Sequence, residues 1–126
     1  MSKIALGTVQ FGIDYGVNSV DGQVGPEEVK KILSYANLKG VGLLDVAPAY
    51  GNSEKILGRM NVSNFKVVTK TRHFDSLEID NNDVKLLNND FHHSLKDLKQ
   101  YSVYGVLIHD ADDLLKPGAE KLFDKL

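Results

Sequence analysis

Cysteine is absent from the 126 residues, which excludes disulfides and thiolate metal sites and fits a reducing compartment. An excess of charge is lacking too. The formal net charge of -2 gives no electrostatic case for nucleic acid or for an anionic membrane surface. No apolar stretch approaches the length that spans a bilayer. Met1-Ser2-Lys3 runs into a short strand pattern without the apolar region of a secretion signal, so a cytoplasmic location is expected. Low-complexity segments, linker-like tracts and sequence repeats are also wanting. What is present is ordinary: 42% apolar and 25% charged residues, the balance of a soluble globular protein with enough chain for one core. One domain over residues 1–126 is expected.

The chain reads as strand then helix, four times. Ile4-Ala5-Leu6-Gly7 is a brief first strand, followed by a glycine-rich loop from Gly12 to Gly25. Pro26 suits the first position of a helix, where its lack of an N–H costs nothing. Val29, Ile32, Leu33 and Ala36 recur at helical spacing, and Gly40 fits the C-terminal stop. Val41 to Asp45 predicts a second strand. Ser53 predicts an N-cap, before a short helix with Ile56, Leu57 and Met60 on its apolar face. Phe65 to Thr69 predicts a third strand. Asp83 is the expected cap of a helix striped by Val84, Leu87, Phe91, Leu95 and Leu98. Ser102 to Ile108 is a near-continuous apolar run, a fourth strand. Pro117 is expected to open a last helix with Ala119, Leu122, Phe123 and Leu126 on one face. Alternation of this kind, with strands apolar throughout, predicts an α/β fold with a parallel sheet.

Four polar residues fall at or just after strand ends: Asp45 and Tyr50 after the second, Lys70 after the third, His109 after the fourth. In a barrel of parallel strands those ends converge on one mouth. Each residue also has an ordinary alternative. Tyr50 can be a loop aromatic, Asp45 a turn cap, Lys70 a solvated strand end, and His109 a polar neighbour of Asp110.

Leu6-Gly7-Thr8-Val9-Gln10-Phe11-Gly12, Asp45-Val46-Ala47-Pro48-Ala49-Tyr50-Gly51, Val68-Thr69-Lys70 and Leu107-Ile108-His109, in this order and spacing, resemble the first four βα units of the aldo-keto reductases. Asn52-Ser53-Glu54 and Leu57-Gly58 resemble that family's continuation after the tyrosine. The resemblance covers nearly the whole chain. It implies a TIM barrel, NADPH as cofactor, reduction of aldehydes or ketones, and a catalytic tetrad at Asp45, Tyr50, Lys70 and His109. In the chemistry so implied, hydride reaches the carbonyl carbon and charge grows on its oxygen. Tyr50 would donate the proton, the Lys70 ammonium would stabilise the tyrosinate, Asp45 would hold Lys70, and His109 would orient the carbonyl.

A complete barrel takes about 250 residues, so four strands and four helices amount to a parallel (β/α)4 half of one. Barrel phosphate sites usually come from loops after strands seven and eight, which puts NADPH binding in question. Three accounts are open: a fragment, a half-barrel that pairs with its copy, or a small domain recruited without chemistry. Open strand edges invite partners, and two copies about a two-fold axis would supply eight strands. A homodimer is therefore expected, with a small carbonyl compound as substrate if the site is active. The rival reading is a non-catalytic self-assembling half-barrel that keeps the tetrad by descent.

Other signals carry less. Gly40-Val41-Gly42 enters a strand rather than leaving one, the reverse of a dinucleotide fingerprint. Among the loop glycines Gly12, Gly16, Gly22 and Gly25, flexibility competes with close approach of a ligand. His92 and His93 are adjacent on a helix and diverge. Arg72 and His73 belong to the loop after strand three. Asp110, Asp112 and Asp113 suit either a magnesium site or a solvated loop capping the last helix. A metal-dependent barrel lyase or hydrolase would need more converging ligands than Asp45 and His109, so no metal is expected.

Overall fold

The computed structural model describes residues 3–16 and 22–125. Four strands form one parallel sheet in the order β1-β2-β3-β4: β1 is Leu6–Gly7, β2 Leu43–Asp45, β3 Lys66–Lys70 and β4 Gly105–Leu107. Leu44 pairs with Leu6 and with Val67, and Lys70 pairs with Leu107. The strands are in sequential order and the connecting helices pack on one face of the sheet. The main core lies between those layers. Leu44, Val46 and Val67 meet Val29 and Leu33 from α2 (Pro26–Leu38), Ile56 and Leu57 from α3 (Ser53–Arg59), and Leu98 from α4 (Asn81–Leu98).

The expected stripe of α2 is largely buried, with Ile32 half-buried. Pro26 stands at its first turn with Glu27 and Glu28, where carboxylates oppose the positive end of the helix dipole. Gly40 has φ +73°, as its place after the helix requires. On α4, Leu87 and Leu98 are buried while Val84, Phe91 and Leu95 are half-buried.

Several local expectations are corrected. β1, β2 and β4 are shorter than their apolar runs, and β3 keeps its length but sits one residue later than Phe65 to Thr69. The β4 run is less buried than its composition suggests, with Leu107 half exposed and Tyr104 exposed; Leu107 pairs with Lys70 and lies on the side of the sheet away from the helices. Between β1 and the glycine-rich loop stands a helical turn that the sequence did not announce, α1 (Val9–Gly12), which buries Phe11; residues 17–21 of the loop lie outside the described residues. Ser53 is not a cap: Asn52 holds that position, and Ser53 is buried as the first residue of α3. Asp83 is not the cap of α4 either. Asp80 is, its Oδ1 accepting from the backbone N–H of Asn82 and Asp83, while Asp83 Oδ2 accepts from Asp80 N. This reciprocal arrangement is a capping box. Pro117 does not open the last helix, because Gly118 takes φ +79° and breaks the run; α5 is Glu120–Phe123. Ala119 and Leu122 are buried, Phe123 is exposed, and Leu126 lies outside the described residues.

A second, smaller core gathers Phe74 and Ile79 from the β3–α4 connection, Leu87 from α4, and Ala119 and Leu122, with Ile108 packed against it. No helix among the described residues is long and apolar enough to cross a membrane.

Candidate active site

The C-terminal end of β2 is pinned from β1. The Thr8 N–H and the Thr8 hydroxyl both donate to the Asp45 carbonyl, at 3.1 and 2.9 Å. The Asp45 side chain then reaches Lys70 at the end of β3. Lys70 Nζ donates to Asp45 Oδ1 at 2.6 Å and to the Val46 carbonyl at 3.0 Å. Both side chains are largely shielded from solvent, which strengthens a charge-assisted contact of this kind.

Beyond β2 the chain turns through Pro48 and Ala49 to bring Tyr50 back over the strand ends. Lys70 Nζ lies 4.9 Å from the centre of the Tyr50 ring, within cation–π reach. Two features fix Tyr50. Gly12 carries no Cβ, and one placed there would lie 1.6 Å from the Tyr50 carbonyl oxygen, so glycine alone permits the approach. The Ser53 hydroxyl donates to the Thr8 carbonyl at 2.9 Å, tying the start of α3 to the end of β1. Close backbone approach is thus what Gly12 supplies, rather than loop flexibility.

His109 follows β4. Its backbone N–H donates to Thr71 Oγ1 at 3.1 Å, and its exposed ring stands edge-on to Tyr50 with centres 6.3 Å apart and planes at 80°. A cavity of about 290 Å³ is lined by Val9, Ile13, Tyr15, Ala49, Tyr50 and His109. Asp45, Tyr50, Lys70 and His109, far apart in sequence, are therefore neighbours at one end of the sheet.

A buried polar network behind these residues escaped sequence reasoning. Glu54, in the first turn of α3, accepts from Thr69 Oγ1 at 3.1 Å and from Ser94 Oγ at 2.9 Å. Burial pushes the Glu54 carboxyl above its ordinary range, against the opposing pull of the hydrogen bonds from Ser94 and Thr69. The available signal was Ser94 itself, a polar residue on the stripe between Phe91 and Leu98.

The remaining polar candidates pair with one another or lie exposed. Asp110 Oδ1 accepts from Asp112 N and caps the 3-10 turn Ala111–Leu115. Asp113 is buried and pairs with Lys116 at 2.7 Å, and Lys116 Nζ also donates to the Phe74 carbonyl. His73 Nδ1 lies 3.2 Å from Asp110 Oδ2, and Arg72 pairs with Asp90 at 3.2 Å. His92 and His93 are exposed on α4.

The model of the aldo/keto reductase family matches residues 3–126. The chain belongs to the aldo/keto reductase family. A Pseudomonas aeruginosa structure assigned to the aldo-keto reductases superposes with a TM-score of 0.76 at 27% identity, covering 96% of this chain and 48% of that one. A second structure of that description, also from Pseudomonas aeruginosa, gives a TM-score of 0.72 at 25% identity, covering 95% and 48%. The holo form of an aldo-keto reductase from Bacillus halodurans gives 0.64 at 15% identity over 90% of this chain and 38% of that one, a likeness of fold alone. No curated protein matches the chain. The chain thus spans about half the length of the Pseudomonas aeruginosa structures. Its four parallel strands are half of an aldo-keto reductase TIM barrel, as the resemblance implied.

Proposed function

We propose that the chain carries the proton-donating part of an NADPH-dependent carbonyl reductase site, with Tyr50 as the donor to the carbonyl oxygen. The observation that carries this reading is the Lys70 ammonium, held by Asp45 and the Val46 carbonyl and seated 4.9 Å from the Tyr50 ring centre. A cation so placed favours the tyrosinate left after proton transfer. Asp45 keeps that cation in place. His109, beside Tyr50 and lining the same cavity, is positioned to share the carbonyl oxygen and orient it.

The residues present fit one end of the cofactor. The cavity beside Tyr50, walled by Val9, Ile13 and Ala49, suits a flat ring or a small aldehyde or ketone; at about 290 Å³ it is below the span of whole-ligand pockets, about 300–1,000 Å³. A dinucleotide diphosphate needs cations or helix N-termini. At this end of the sheet, among the described residues, Lys70 is committed to Asp45 and Arg72 to Asp90. When bound, the reduced nicotinamide supplies a hydride to the carbonyl carbon; the diphosphate grip would come from loops beyond these four strands.

The test is NADPH oxidation against a panel of aldehydes and ketones, with Tyr50→Phe and Lys70→Met beside the wild type. Turnover that falls by about 10²-fold or more in Tyr50→Phe supports the donor role. Wild-type rates in that variant would sink it. Absence of NADPH binding at millimolar concentration, read by fluorescence titration, would mean that this chain alone does not reduce carbonyls.

A further inference from the structure

Tyr50 lies five residues past the end of β2, so the sheet's own ladder does not set its distance from Lys70. Something must tie the segment that carries Tyr50 to the strand that carries Lys70. Glu54 stands where that tie is needed. It is four residues after Tyr50, and the Ser53 N–H donates to the Tyr50 carbonyl at 3.1 Å, so the Tyr50 turn and the first turn of α3 move together. The Glu54 carboxylate takes the hydroxyl of Thr69, the residue next to Lys70 on β3, and with its other oxygen the hydroxyl of Ser94 on α4. Glu54, Thr69 and Ser94 are all buried, and a buried polar group bonded on both sides holds its partners far more rigidly than an exposed one.

We infer that Glu54 is a positioning residue, gripping β3 through Thr69 so that the Lys70 ammonium stays seated on the Tyr50 ring. The inference rests on the proposed role of Tyr50 and Lys70 and adds the group that sets their separation. Alternation along β3 makes the device work. Thr69 points to the helix layer and Lys70 to the opposite side, so one residue takes the restraint and the next carries the charge. Glu54 touches none of the atoms of the proposed chemistry.

The test reads geometry, without cofactor or carbonyl. Lysine ε-methylene protons close to an aromatic ring move upfield in the proton NMR spectrum, and Tyr50→Leu defines the zero for Lys70. The inference expects Thr69→Val, which removes one hydroxyl at nearly constant shape, to lose most of the upfield shift while amide signals of Leu44, Leu57 and Leu98 stay in place. Glu54→Leu should do the same, and Glu54→Gln, whose amide oxygen accepts from one hydroxyl while its NH2 donates to the other, should retain the shift. An unchanged shift in Thr69→Val would overturn the inference, as would its loss in Glu54→Gln. Should Glu54→Leu fail to fold, Thr69→Val decides. A chain that binds no NADPH would defeat the proposed function yet leave this readout intact.

Discussion

At Glu54 the energetic question is where the proton sits. Its folded pKa is raised above the ordinary value of 4.5, chiefly by burial, so the folded chain holds this proton more tightly than the unfolded chain does. The corresponding stability is fully present below about pH 4.5. It is lost as pH rises through the folded value. Glu54→Gln is always neutral and does not lose it. The melting temperature of the wild type relative to Glu54→Gln should therefore fall as pH rises above about 4.5, and paired melts across that range check it. A constant difference would mean that the carboxyl titrates normally in the fold. Sequence reasoning reached the four residues at the strand ends because their types and places follow from strand-end geometry and from the family's order. Glu54, Thr69, Ser94 and Thr71 were not legible as a set. A hydrogen-bonded group behind a site draws on three separate elements, and nothing in local pattern announces their meeting.

Elements here are held apart or together by single residues. Gly58 faces α4 so closely that a Cβ would lie 2.0 Å from the Asp97 carbonyl oxygen. Gly58→Ala should force α3 off α4 and cost about 1–3 kcal/mol, measured as a lowered urea midpoint. The ion pair of Asp113 with Lys116 closes the β3–α4 connection onto the 3-10 turn, with Phe74 N–H donating to Asp113 Oδ2 at 3.4 Å. Lys116→Met would leave a buried carboxylate unpaired, at a cost of about 3–5 kcal/mol; faster hydrogen exchange at Phe74 should accompany it. Helix stripes and strand order were legible because both are periodic and repeated. Helix starts were legible at Pro26, which opens α2, and not elsewhere. Ser53, Asp83 and Pro117 each have the right residue type for a start, but Asp80 had already taken the cap of α4. The backbone of Gly118 interrupted the turn after Pro117, and tertiary contact with Thr8 drew Ser53 inward.

On the scale of the whole molecule, β1 and β4 are both edges of the sheet. Exposed Ile4 and Tyr35 stand by one edge and Tyr104 and Leu107 by the other. Apolar edges favour pairing with another chain. We propose that two copies join edge to edge, β1 of each against β4 of the other, giving eight parallel strands. Light scattering should return twice 13.9 kDa, and a well-folded species at the single-chain mass would refute it. The existence of two cores has its own consequence. Asp45 and Lys70 are anchored on the larger one. His109 follows Ile108, which packs on the smaller, built from the β3–α4 connection and the end of the chain. Regions with separate packing open separately, at free energies below that of global unfolding. On warming, the smaller unit should melt first and carry His109 away while Tyr50 and Lys70 remain seated, so the site would lose its fourth member at a temperature where circular dichroism still reports a folded chain.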